Sequence, residues 1–157
     1  MEITENKSPT LNLAPIIWLG FLTGTLDALA AILFSSGIAP VIIFKYIASG
    51  AFGKAAFAGG TGMILWGIFF HYLIAYSFTA MFYLTYPAFI SALRNKYATA
   101  VVFAAITWII TNLIVVPVSQ IGWHSQHLSS VLTGFAILIF TIGLPIALVS
   151  DRLYRKG

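Results

Sequence analysis

The sequence predicts an all-α integral membrane protein, a four-transmembrane-helix bundle with a short amphipathic or re-entrant helix between the first two spans. Three observations carry this. Hydrophobic residues fill 60% of the 157 positions and charged residues only 8%, against about 25% charged in soluble domains. So few charges cannot cover that much apolar surface in water. Four apolar runs are each long enough to cross a hydrocarbon core about 30 Å thick, and the basic residues sit at the edges of those runs, as membrane topology demands.

Residues 1–13 form a polar tail whose Glu2 and Glu5 outweigh Lys7. That balance, with a long apolar run behind it, does not fit a signal peptide, so the first span is expected to be retained. Span one covers 14–35, with Pro15 acceptable in its opening turn. In the segment 37–60, Pro40 can start a helix and Val41 to Ala48 is apolar apart from Lys45, until glycines at 50, 53, 59 and 60 break regularity. This stretch is too polar for a fifth span and too apolar for a free loop. An interfacial or re-entrant helix is expected, with Lys45 snorkelling towards headgroups.

Span two runs over 61–87, where Tyr86 and Pro87 mark an interfacial end. Span three covers 97–117 and span four 131–149, and none of these three contains Asp, Glu, Lys or Arg. Residues 14–150 thus make one membrane domain, followed by a basic tail at 151–157. Lys7, Arg94, Lys96, Arg152, Arg155 and Lys156 fall on one side, and only Lys45 and Lys54 on the other. This asymmetry puts both termini in the cytoplasm. The 119–130 connection then faces outward.

Several chemistries are excluded or left without a site. The chain has no cysteine, which removes disulfides, Fe–S clusters, thiolate zinc sites and cysteine nucleophiles. Its net charge of +4 is not clustered as a nucleic-acid surface requires. The stretch ASGAFGKA (48–55) lacks the first glycine and the closing Ser/Thr of a phosphate loop. Ser77, Ser91 and Ser119 have no serine-elbow context. One in-span aspartate cannot make an aspartyl protease, and one in-span histidine cannot ligate haem in a bis-histidine pair. His124-x-x-His127 has the spacing of a metal-binding turn, but no third ligand lies nearby, so an exposed loop pair is expected. No enzyme and no cofactor are predicted.

What remains is polar chemistry inside the spans. A carboxylate within an apolar run needs a partner, a proton or a water-filled cavity. At 1.5 Å per residue, Asp27 lies about 20 Å up span one, His71 about 15 Å below the outer surface and Asn112 about 22 Å from the inner face. Their faces agree too. Gly20, Gly24, Asp27, Ala31 and Ser35 share a stripe on span one. Gly67, His71, Ala75 and Thr79 share one on span two. On span three, Ala104, Trp108, Asn112 and Val115 share one, with Thr111 beside them. The Gly20-x-x-x-Gly24 spacing admits a close backbone, which turns its stripe towards a helix rather than lipid. Asp27, His71 and Asn112 are therefore expected to converge in the outer half of the bundle.

The stretches YIASGAFGKAAFAGG (46–60), GIFFHYLIAYSFTAMFYLTYP (67–87) and NLIVVPVSQ (112–120) resemble a group of small uncharacterised bacterial membrane proteins. More distantly, the histidine-bearing second span ending in Pro87 and the Pro-Val-Ser end of span three resemble YagU-type inner-membrane proteins, a family associated with acid resistance. The outer segment here is shorter than theirs. The resemblance implies a bacterial inner membrane and a role in pH or proton handling, and it implies no enzyme.

Besides an intramembrane enzyme acting on lipid, which would need a nucleophile or metal beside His71, two functional readings stay open. In one, the chain is a transport or pH/stress-response protein. Asp27 is its proton or cation site, His71 the titrating partner, Asn112 the orienting amide, and Lys54 an anion contact at the mouth. In the other, it is a non-catalytic accessory subunit or lipid-binding scaffold whose polar residues only clasp the helices. Either way the expected partners are membrane lipids and copies of the chain or other subunits, because four helices enclose little volume and glycine-rich faces invite association.

Overall fold

The computed structural model describes residues 13–35, 37–123 and 125–155, and every regular element among them is helical. Helix α1 is Ala14–Phe34, α2 Pro40–Phe52, α3 Ala55–Ala58 and α4 Thr61–Leu93. Two further long helices follow, α5 over Lys96–Val118 and α6 over Leu128–Tyr154. The four long helices are apolar and long enough to cross a membrane. Their outward faces carry Leu33, Phe34, Leu65, Phe69 and Phe140, as lipid contact requires.

Neighbouring long helices run antiparallel. Thr23 of α1 meets Thr79 of α4, Asp27 meets Thr141 of α6, and Lys96 of α5 meets Asp151 of α6. One end of the molecule thus gathers the start of α1, the α4–α5 turn and the end of α6. The opposite end holds α2, α3 and the connection between α5 and α6.

Two boundaries differ from expectation. Helix α4 does not stop at Pro87 but continues through it to Leu93. An interior proline costs a helix about 3 kcal/mol. Here Phe89 packs edge-on to Phe103 at 5.0 Å and Ile90 joins the same core, and this packing outweighs the local cost. The turn that ends α4 is then very short. Arg94 adopts a left-handed conformation (φ 51°), and Asn95 Oδ1 caps α5 by accepting from the backbone N–H groups of Tyr97 and Ala98. Helix α6 likewise runs past residue 149 into the segment expected to be a tail. It can do so because Asp151 is buried and neutralised, as described below.

Both α5 and α6 are interrupted by a π-helical stretch, Ile110–Val115 and Ile139–Gly143. The register shows it directly: Val116 N–H bonds Thr111 O, and Leu144 N–H bonds Ile139 O, each five residues back. In each helix a proline follows at once, Pro117 and Pro145. A proline ring has no N–H to give and crowds the carbonyl four residues earlier. A wider turn just before it relieves both problems. The apolar core lies towards the α4–α5 turn, where Phe82 stacks on Phe103 at 4.3 Å among Phe78, Tyr86, Ile142 and Ile146.

Candidate functional site

Asp27, His71 and Asn112, from α1, α4 and α5, line one cavity of about 330 Å³. Ile47 of α2 and Ser130, Gly134 and Ile137 of α6 complete its wall, and Gln126 of the α5–α6 connection stands at one side. The three polar residues face the same space, but among the described residues they do not hydrogen-bond one another. Each is held by a different neighbour.

The His71 ring donates from Nε2 to the carbonyl of Gly24 at 2.7 Å. A carbonyl can only accept, so Nε2 carries a proton. Asn112 donates to Trp108 O and accepts from Gln126 Nε2 at 2.7 Å. The Thr141 hydroxyl lies 3.0 Å from both Asp27 Oδ1 and Ile137 O, with one proton to give. An ionised Asp27 accepts a hydrogen bond from that hydroxyl. A protonated Asp27 donates to the hydroxyl instead, leaving Thr141 free to bond Ile137 O. The Asp27–Thr141 contact can thus persist with Asp27 in either state, while the other carboxylate oxygen has no hydrogen-bond partner among the described residues. The His71 ring is also within electrostatic reach of the carboxylate.

The π-helical stretches decide two of these positions. Asn112 lies in one and Thr141 in the other, and each stretch changes which face its helix turns inward. Thr141 was not legible as the Asp27 partner from helix periodicity, although Pro145 inside an apolar run was a signal that the period would break there.

The glycines behave as close-packing positions, with one correction. Side-chain atoms at Gly20 and Gly24 would strike the rings of Tyr76 and Tyr72, not a neighbouring backbone. The two glycines form slots for a pair of tyrosines one turn apart on α4. Tyr72 OH then bonds Thr25 Oγ1 at 2.9 Å. Close backbone contacts occur instead at Gly67, against which the Phe44 carbonyl of α2 packs, and at Gly143, against the Ala100 carbonyl. The Gly67 contact seats α2 on α4 and brings Ile47 to the cavity.

Lys54 does not join the site. It is exposed at the start of α3, away from the cavity lining. Lys45 donates to Phe57 O at 3.2 Å and ties α2 to α3. His124 lies outside the described residues, and His127 is exposed where α6 begins. Among the described residues no three His, Cys, Asp or Glu side chains gather where a metal could bind.

A second polar cluster, not anticipated, sits at the other end. Asp151 is 4% exposed. It accepts from Tyr86 OH at 3.2 Å and from Arg155 Nε at 3.0 Å, and pairs with Lys96 Nζ at 3.5 Å. The sequence signal was available, since Asp151 and Arg155 are one helical turn apart.

No protein-family model, curated protein or solved structure matches this chain.

Proposed function

We propose that the chain is a small bacterial inner-membrane protein of the transport or pH- and stress-response type, and that its cavity handles a proton or a small ligand. In this reading the four spans form a bundle with both termini in the cytoplasm. Helix α2 lies at the outer interface, and the protein works as a homo-oligomer or as a subunit of a larger complex. Asp27 is the proton or cation site, His71 its titrating partner and Asn112 the amide that orients what enters.

The observation that carries the reading is a carboxylate and an imidazole on one cavity inside apolar helices. Asp27 can keep its Thr141 contact with or without a proton, and His71 is within its electrostatic reach. Ionisable groups within a membrane are costly to keep and characteristically mark ion or proton pathways.

The alternative is the accessory or scaffold reading. It is favoured by the bonds His71–Gly24, Thr141–Asp27 and Gln126–Asn112, each of which ties separate elements together. The test is the titration of His71 by NMR in bilayer-embedded protein, wild type against Asp27→Asn. A titration between about pH 5 and 8 whose midpoint moves in the variant supports a coupled, water-connected pair. A His71 that does not titrate, or that ignores Asp27, gives the scaffold reading.

A further inference from the structure

A groove adjoins the cavity on the side of α1 and α6. Ile137 lines both the cavity and this groove, which is apolar, about 540 Å³ in volume and walled by Ala30, Phe34, Leu132, Ala136 and Phe140. Thr141, the residue that holds Asp27, is part of the same groove wall. A third recess, at the end of this seam, shares Ala31, Ser130, Gly134 and Ile137 with the cavity. Small residues recur along the seam, among them Ala30, Ala31, Ser130, Gly134 and Ala136, and α1 and α6 leave a cleft there.

The charge and chemistry along the cleft select its occupant. Among the described residues no lysine or arginine lines any of the three spaces, Asp27 is their one acidic residue and His71 their one histidine. Among the described residues the second oxygen of Asp27 has no hydrogen-bond partner, yet it is not sealed from the cavity. Trp108 and Phe78 are among the residues of the cavity wall, and aromatic side chains are common partners of quaternary ammonium groups. A divalent cation favours several carboxylate oxygens, and Asp27 is the one carboxylate among the described residues of the cavity wall. The cavity volume is at the lower end of the range for ligand pockets, about 300–1,000 Å³.

We infer that the ligand is an amphipathic organic cation, which seats an ammonium head beside Asp27 and lays its hydrocarbon chain in the groove between α1 and α6, entering sideways from the bilayer. This rests on the proposed ligand-handling role of the cavity and names its substrate class.

The test uses the full chain in nanodiscs, with calorimetric titration of octyltrimethylammonium, tetramethylammonium and octyl sulfate, and empty nanodiscs subtracted. Saturable binding of octyltrimethylammonium is expected, at least tenfold weaker in Asp27→Asn. It should also weaken at least tenfold in Ala136→Phe, which fills the groove from an exposed position. Tetramethylammonium should weaken with Asp27→Asn and ignore Ala136→Phe. In the wild type alone, affinity should rise as the alkyl chain lengthens from methyl to octyl, a readout that no folding defect can blur. Equal binding of octyl sulfate, or octyltrimethylammonium binding indifferent to both substitutions, overturns the inference. If His71 titration is coupled to Asp27 but the cation does not bind, the substrate class falls and the proton reading stands. If the cation binds at Asp27 without any His71 coupling, the reverse holds.

Discussion

The two aspartates of the helical region make an instructive pair. Asp151 is enclosed by a tyrosine hydroxyl, a guanidinium and an ammonium, so its charge is answered on several sides and it ties α6 to α4 and α5. Asp27 has one threonine hydroxyl, an imidazole at a distance and an open cavity. Around Asp151 aromatic rings fill the space between helices, with Tyr86 packed edge-on against Phe103 and Tyr154. Around Asp27 small residues leave space. A buried charge that is fully partnered serves the fold, whereas one left partly unanswered beside a cavity is where a ligand or proton can change the energy. In lipid the distinction is sharper than in water. Apolar burial does little to hold helices together there, so packing and hydrogen bonds decide.

The largest expected contrast is between two glycines of α6. At Gly143 an added methyl would collide with the Ala100 backbone. Gly143→Ala should therefore destabilise by about 3 kcal/mol, the upper end for overpacking. At Gly134 a methyl meets nothing within 4 Å. Gly134→Ala should be neutral or gain up to about 1 kcal/mol from helix propensity. Unfolding by denaturing detergent, read by circular dichroism, checks both. Equal losses would mean that the cavity half is as tightly packed as the other.

Next in size is the contrast between the aspartates themselves. Asp151→Ala strands the buried Tyr86 hydroxyl and should cost about 2 kcal/mol, with little more from Lys96 and Arg155, which reach solvent. Asp27→Asn keeps the shape and removes a charge, so stability should stay within about 1 kcal/mol of wild type while His71 titration and cation binding change. A stability loss at Asp27 matching that at Asp151 would reduce it to a clasp. Thr141→Val should cost about 1 kcal/mol and also move the His71 midpoint, which a purely structural threonine would leave alone.

The smallest effect concerns the buried hydroxyl pair between α1 and α4, Thr23 and Thr79, 3.0 Å apart. A double-mutant cycle with valine at each should give a coupling of about 0.6 kcal/mol, the usual size of such a bond within a membrane. A coupling near zero would mean that the Gly20 and Gly24 slots with their tyrosines hold this helix pair alone.

Length, hydropathy and helical period were enough to locate the four long helices and the helix between the first two, and to bring Asp27, His71 and Asn112 to a shared space. These are local properties. An apolar run in lipid must satisfy its backbone internally and so must be a helix, and residues three or four apart must share its face. The misses were all non-local. Pro87 reads as an end until Phe89 is seen against Phe103. Asp151 reads as part of a solvated tail until Tyr86 and Lys96 close on it from other helices. Thr141 reads as one more small residue until the π-helical turn before Pro145 aims it at Asp27. Sequence by itself determined which segments are helices and which polar groups they carry. Only the tertiary structure decided which carboxylate is answered and which is left open, because that depends on how closely helices distant in the chain can approach.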